Sequence, residues 1–332
     1  MGCGTTRGKR STVPDAPHPQ PRRRVRVLPR KRPREEATGA WYPRWYWPGF
    51  ALPGTLWMLL LFVLPFYVVV SIAFGTVDPV FQSPLPVYQP WWWTSRYLLE
   101  EWHFATGEFR AVELRTLVYV VLATAICLVI AYAVAYYVAR FGGKRKGLFL
   151  VLLIAPFFIS YLMRMLSWVE LLQPNGYVNS VLTFLHITPH PVNWLGGVPF
   201  TVVMGLVYGY IPYMILPLYG FLDRIDQSHL EAGRDLGANP FWTFVRVTLP
   251  LSKPAILASL VIVTLPMFGD YYTNNLLSGS PKTTMFGNLL DNSMEATGQG
   301  PEAAVLVLFL VVFLMIPMLY YMRETAKAQR NQ

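Results

Sequence analysis

The chain has 332 residues, 54% of them hydrophobic, and a mean hydropathy of +0.36. Its apolar residues fall in runs of about twenty, the length a helix needs to cross a hydrocarbon core, which excludes an ordinary soluble two-domain protein. The net charge of +10 is not a nucleic-acid signal, because the basic residues gather in the first segment and in alternate loops.

Residues 1–48 are rich in Pro and Arg, with clusters at Arg22-Arg23-Arg24 and Arg30-Lys31-Arg32. They offer no core and are expected to form a disordered cytoplasmic tail. Cys3 has no apolar stretch before it and does not read as a lipoprotein site. Trp41, Tyr42, Trp45, Tyr46 and Trp47 read as an aromatic belt at the bilayer surface. Six spans are expected at 49–74, 115–139, 148–171, 199–221, 252–274 and 302–322, followed by a short tail at 324–332. Several spans contain proline, which membrane helices tolerate because neighbouring groups satisfy the freed carbonyls. If the N-terminus lies inside, 23 of the 28 Lys and Arg fall on the cytoplasmic side, so both termini are expected there.

The loop at 75–114 is aromatic, with Trp91, Trp92, Trp93 and Trp102, and the loop at 172–198 has no Lys or Arg. Either they meet a substrate-delivering protein or they lie at the interface. Charges inside spans are costly and mark a polar cavity or a partner. Arg164 lies in the third span, Glu170 near its outer end and Asp270 near the outer end of the fifth. Glu170 and Asp270 with Trp168, Tyr271 and Tyr272 would form a wall of carboxylates and aromatic faces suited to an amine cation. Alternatively, Arg164 pairs with one of the carboxylates as a structural brace, the role we expect for it.

A polar interruption at 228–250 separates two long apolar runs and reads as two short helices. Ser228 with Glu231 makes a capping box for the first, and Gly237 ends it in the left-handed conformation. Asn239 caps the second, with Pro240 at its first position, and Pro250 is expected to stop it. The two cysteines, Cys3 and Cys127, and the five scattered histidines form no disulfide framework or metal spacing. Gly142-Gly-Lys-Arg-Lys-Gly147 lacks the spacing and hydroxyl of a phosphate-binding loop.

Glu231, Ala232, Gly237, Leu249 and Pro250 match the spacing of the EAA loop of bacterial ABC importer permeases. Gly233 stands for its second Ala and Val247 for its Ile. The run Ala155-Pro-Phe-Phe-Ile-Ser-Tyr-Leu-Met-Arg-Met-Leu-Ser-Trp168 resembles the third-span signature of spermidine/putrescine permeases, and Phe268-Gly-Asp-Tyr271 with Leu276-Leu-Ser-Gly279 resembles the segment that family carries after its fifth span. The resemblance covers about 50–323 and implies an all-α polytopic membrane protein: six transmembrane helices, the type I ABC importer permease fold and a cytoplasmic coupling loop. It implies a bacterial inner-membrane transport subunit rather than an enzyme. Its expected partners are a second, homologous permease, two ATPase subunits that bind ATP and Mg, an extracytoplasmic binding protein and membrane lipid, with no cofactor in this chain. Permeases for ferric iron, thiamine and other solutes share parts of the signature, and an ion-driven secondary transporter is the more distant alternative.

Overall fold

The computed structural model describes residues 46–99 and 109–330, with Gly2 and Gly4. Most of the expected tail, Trp41, Tyr42 and Trp45 of the aromatic belt, and Trp102 lie outside the described residues. Contacts divide the chain into two units, Met1–Met58 and Leu59–Gln332. In the first, the described residues open helix α1 (Tyr46–Ala73), where the Tyr46 and Phe50 rings lie 4.9 Å apart.

The remaining helices are α2 (Phe109–Phe141), α3 (Lys146–Ile154), α4 (Tyr161–Leu172), α5 (Tyr177–Phe184), α6 (Pro199–Leu222), α7 (Gln227–Asp235), α8 (Pro240–Thr243), α9 (Leu249–Phe268), α10 (Tyr272–Leu277), α11 (Phe286–Glu295) and α12 (Gly300–Arg330). Among the described residues, five helical stretches are long and apolar enough to cross a membrane: Pro48–Ala73, Arg110–Phe141, Pro199–Leu222, Pro240–Phe268 and Gly300–Glu324. The expected third span, 148–171, is not one straight helix. The chain bends by 84° between Gly143–Phe158 and Tyr161–Phe184. Pro156 removes a backbone donor, a 3-10 turn forms at Ala155–Phe158, and Ile159 and Ser160 take extended backbone (ψ 138° and 139°). The expected fifth span differs at both ends. It begins at Pro240 and stops at Phe268, where Gly269 caps it.

The core is the contact of α2 with α6 and α9. On α2 the buried residues recur every three or four positions: Val120, Ala123, Cys127, Ala131, Ala135 and Ala139. Most are alanines, and small side chains let helix backbones approach closely where hydrocarbon gives no hydrophobic drive between helices. Opposite them lie Val202, Leu206, Leu218 and Leu222 of α6 and Ala255, Val263 and Met267 of α9. Strands β1 (Thr76–Val77) and β2 (Pro84–Leu85) pair antiparallel in the loop after α1. There Trp93 stacks on Phe74 at 4.9 Å while Trp91 stays 79% exposed.

The segment after α9 is held by amide side chains. Asn288 Nδ2 donates to the Tyr271 carbonyl (3.0 Å) and to Asn275 Oδ1 (2.7 Å), and Asn274 Nδ2 donates to Asn288 Oδ1 (2.7 Å). Gly287 has to be small, since a Cβ there would lie 2.8 Å from the Asp270 carbonyl. Arg115 at the start of α2 fastens the next turn by donating to the carbonyls of Pro281 (3.2 Å) and Thr284 (3.3 Å). The result is a fixed platform for Asp270.

Candidate functional site

Two constructions stand out, one at each end of α9. The first is the corner of α7 and α8. The helix cap here is Asp226, not Ser228. Asp226 Oδ1 accepts from the Ser228 N–H at 3.1 Å, Ser228 lies inside α7, and the expected capping box with Glu231 does not form. Asp and Ser are both good caps, and the extended backbone at Asp226 (ψ 138°) selects the carboxylate. The Ser228 N–H also holds the Asp226 carboxyl below its ordinary value.

The end of α7 follows expectation. Gly237 has φ +84°. Its N–H reaches the Arg234 carbonyl (2.8 Å), and the Ala238 N–H reaches that of Gly233 (3.2 Å). This pair of bonds is a Schellman motif. Asn239 Oδ1 then accepts from the Trp242 N–H at 2.8 Å, with Pro240 at the first helical position. Pro250, however, does not stop that helix. A π-turn at Phe244–Thr248 joins α8 to α9 without a break, and Pro250 sits in the first turn of α9. The wider turn re-routes the carbonyls that a proline, lacking its N–H, would leave unpaired.

Of the expected coupling residues, Gly233 and Val247 meet. A Cβ on Gly233 would lie 3.3 Å from Val247 Cγ2. Glu231, Ala232, Leu249 and Pro250 are exposed. Around them Leu236 is 90% and Phe241 66% exposed, and Arg246 covers the Trp242 ring at 4.3 Å. The corner is braced on α2. Phe244 packs edge-on against Tyr132 and Tyr136, Tyr132 OH and Ser252 Oγ lie 2.9 Å apart, and Arg140 donates to the Ile225 carbonyl at 3.1 Å.

The second construction is a cavity of about 460 Å³ walled by Tyr161, Tyr210, Tyr213, Tyr271, Tyr272 and Asp270. Asp270 is buried. Its Oδ1 accepts from the Thr273 N–H (2.9 Å), and its Oδ2 accepts from Thr273 Oγ1 (2.7 Å) and Tyr161 OH (3.1 Å). Tyr271 and Tyr272 stack at 4.2 Å. Gly209 lets Tyr161 lie against α6, for a Cβ there would be 2.9 Å from its ring.

The expected wall is therefore only half assembled. Asp270, Tyr271 and Tyr272 come together, but Glu170 is exposed and Trp168 packs edge-on against Tyr208, both away from the cavity. The expected brace through Arg164 is absent too, since among the described residues neither carboxylate pairs with it. Its guanidinium lies over the rings of Phe157, Tyr161 and Tyr208 instead, while Asp270 accepts from Thr273 and Tyr161. Tyr161, Tyr210 and Tyr213 escaped the sequence reading. The available signal was a tyrosine one turn before Arg164, and two more flanking Pro212 in α6.

The model of a family described as the binding-protein-dependent transport system inner membrane component matches residues 128–325, more than half of the chain. The chain belongs to this family. The permease is 34% identical over 214 residues to the spermidine/putrescine transport system permease protein PotB of Escherichia coli (strain K12), covering 64% of this chain and 77% of that one. Against PotB of Haemophilus influenzae the identity is also 34%, over 63% and 73% of the two chains. The inner membrane ABC transporter permease protein YdcU of Escherichia coli is 30% identical, with 63% and 70% covered. Among solved structures, a bacterial ABC transporter involved in import of the acidic polysaccharide alginate superposes with a TM-score of 0.67 at 18% identity, over 85% of this chain and 96% of that one. That likeness establishes the fold. The permease is a transport subunit of a binding-protein-dependent system in the inner membrane, not an enzyme.

Proposed function

We propose that this permease carries polyamines of the spermidine and putrescine class and lines half of a pathway completed by a second, homologous permease. The observation that carries the substrate class is the cavity in which one buried carboxylate faces five tyrosines. A protonated amine gains there from charge and from aromatic faces together. A carboxylate has about four lone-pair sites, and three donors already occupy Asp270. An entering ammonium is therefore held weakly, as a step in a pathway requires. Relatives named for spermidine and putrescine transport support the same substrate.

The α7–α8 corner is the docking element for one of two ATPase subunits, which bind the ATP and Mg; this chain binds no cofactor. Glu231 is its polar contact, Ala232, Gly233, Val247, Leu249 and Pro250 shape its surface, and Gly237 sets the turn. The Lys/Arg asymmetry supports a cytoplasmic position for this corner and both termini. An extracytoplasmic binding protein delivers substrate to the other side. Closure of the ATPase pair pushes on the corner, and the attached spans rock between inward and outward access.

The test is uptake of labelled spermidine into cells that carry or lack the gene, with and without ATP depletion. Loss on deletion, with an ATP dependence that a proton uncoupler alone does not mimic, is expected. Unchanged uptake in cells with no second polyamine importer would remove the substrate, and ATP-independent uptake would overturn the docking role.

A further inference from the structure

Arg164 is an anomaly of the interior. It is 7% exposed in α4, and its Nε and Nη1 are buried with no acceptor. A guanidinium stays charged in a protein, and burying it without an anion is costly. The rings of Phe157, Tyr161 and Tyr208, at 4.3, 5.5 and 5.8 Å from its central carbon, offset part of that cost. An apolar side chain of similar volume would avoid it altogether. Stability therefore gives no reason for the charge.

A reason lies on the other side of Tyr161. That ring faces Arg164, while its hydroxyl donates to Asp270 at 3.1 Å. A fixed positive and a fixed negative charge thus flank one side chain, which Gly209 and Thr273 hold in place. To an entering cation the pair attracts less than Asp270 alone would. An inorganic ion gains mainly from charge in the cavity, and Arg164 offsets part of that gain. An organic ammonium gains also from the Tyr271 and Tyr272 faces and from burial of its methylenes. A divalent metal ion brings two charges to one point and meets the repulsion twice. A polyamine spreads its charges along a chain and brings one of them to Asp270.

We propose that Arg164 is a specificity residue of the pathway, a fixed counter-charge that keeps inorganic cations, divalent ones above all, out of the Asp270 cavity while admitting organic amines. The proposal rests on the polyamine reading above. Over roughly 10 Å at an effective dielectric of about 20, each unit of charge on an entering ion is disfavoured about tenfold. Mg²⁺ is thus excluded about tenfold more strongly than one ammonium group.

The experiment uses the complete importer in phosphatidylcholine nanodiscs, free of binding protein and nucleotide. Labelled spermidine is bound, the part abolished by Asp270→Asn is taken as the signal, and MgCl₂ is titrated against it. In Arg164→Gln and Arg164→Met the Mg²⁺ midpoint, relative to the spermidine Kd, is expected to fall about tenfold; Arg164→Lys is expected to keep the wild-type ratio. A merely structural Arg164 would lower the yield of assembled complex and leave the ratio of the assembled fraction unchanged. An unchanged ratio in both neutral variants, or a fall in the Lys variant equal to theirs, overturns the proposal. Absence of any Asp270-dependent spermidine binding in the wild type overturns the polyamine reading of the cavity as well.

Discussion

Gly209→Ala tests the placement of Tyr161 most sharply. The added Cβ would lie 2.9 Å from Tyr161 Cε2 and 3.0 Å from its hydroxyl, against the roughly 3.5–4.0 Å at which carbon atoms pack. The helix cannot retreat, because the side of α6 turned away from Gly209 is packed into the core through Val203, Met214 and Leu218. Nor can the ring turn in place, since its hydroxyl is tied to Asp270. Either the helices separate, at about 1–3 kcal/mol for overpacking, or Tyr161 leaves the carboxylate, at about 1.5–3 kcal/mol for a hydrogen bond to a charged group. Both routes come to about 2 kcal/mol, a fall of several degrees in unfolding midpoint for a domain of this size. The matched control is Gly220→Ala in the same helix, where a Cβ meets nothing within 4 Å and helix propensity alone favours Ala by up to about 1 kcal/mol. The assay is the thermal midpoint of the purified complex together with its spermidine uptake rate. Tyr161→Leu removes the overlapped ring along with its bond to Asp270, so combined with Gly209→Ala it is expected to lower the midpoint by less than the sum of the two single changes, without restoring uptake. Wild-type midpoint and uptake in Gly209→Ala alone would refute this packing.

Three further outcomes concern the α7–α8 corner. Glu231→Lys is expected to reach the membrane in normal amount while ATP hydrolysis no longer drives uptake; normal uptake in that variant would sink the docking role. Gly237→Val places a branched side chain at φ +84°, where a left-handed residue costs about 1–2 kcal/mol, so solute carried per ATP hydrolysed falls, while Gly237→Asn is expected to retain most of it. Because Asp226 is held below its ordinary value of 3.8, its cap stabilises α7 fully above that pH and is lost as the pH drops through the lowered value. Amide protection over 227–235 is therefore expected to fall on acidification in the wild type and to stay level in Asp226→Asn; parallel behaviour of the two would refute the cap.

Features that depend on one residue's backbone were legible in the sequence. Gly237, Asn239 and Pro240 sit where their own geometry demands, whatever the rest of the chain does. The choice between Asp226 and Ser228 was not legible, since both residue types cap well and stand two positions apart. Pro156 was visible, but a proline in a membrane span reads as tolerated; the 84° bend also needs the extended pair Ile159 and Ser160 after it. The cavity was half legible. Asp270 stood out as a charge near a span end, whereas Tyr161, Tyr210 and Tyr213 read as ordinary core aromatics until α6 and the chain after α9 were brought together. Arg164 was visible as a charge, but its partner was not, because aromatic rings and carboxylates both satisfy the sequence pattern.

The two constructions share one rigid element. From Pro240 to Phe268 the chain is helical without interruption for 29 residues, roughly 40 Å at 1.5 Å per residue. Its first turn carries the Asn239 cap and the exposed Phe241 and Trp242; immediately past its last turn come Gly269 and Asp270. One continuous helical stretch thus joins the corner to the cavity, and its irregularities are the π-turn at Phe244–Thr248 and the prolines Pro254 and Pro266 inside α9. The π-turn is clamped by Tyr132 and Tyr136 of α2 through Phe244. At the far end Gly269 leaves the helix, and Thr273 and Tyr161 hold Asp270 against α4 and α10. A tilt of α9 must then change either the Tyr161–Asp270 contact or the position of α4 beyond its bend at Ile159–Ser160. Among the described residues no backbone hydrogen bond joins α4 to the turn before that bend, so on the docking reading proposed above α4, with Arg164, is expected to shift when α9 tilts.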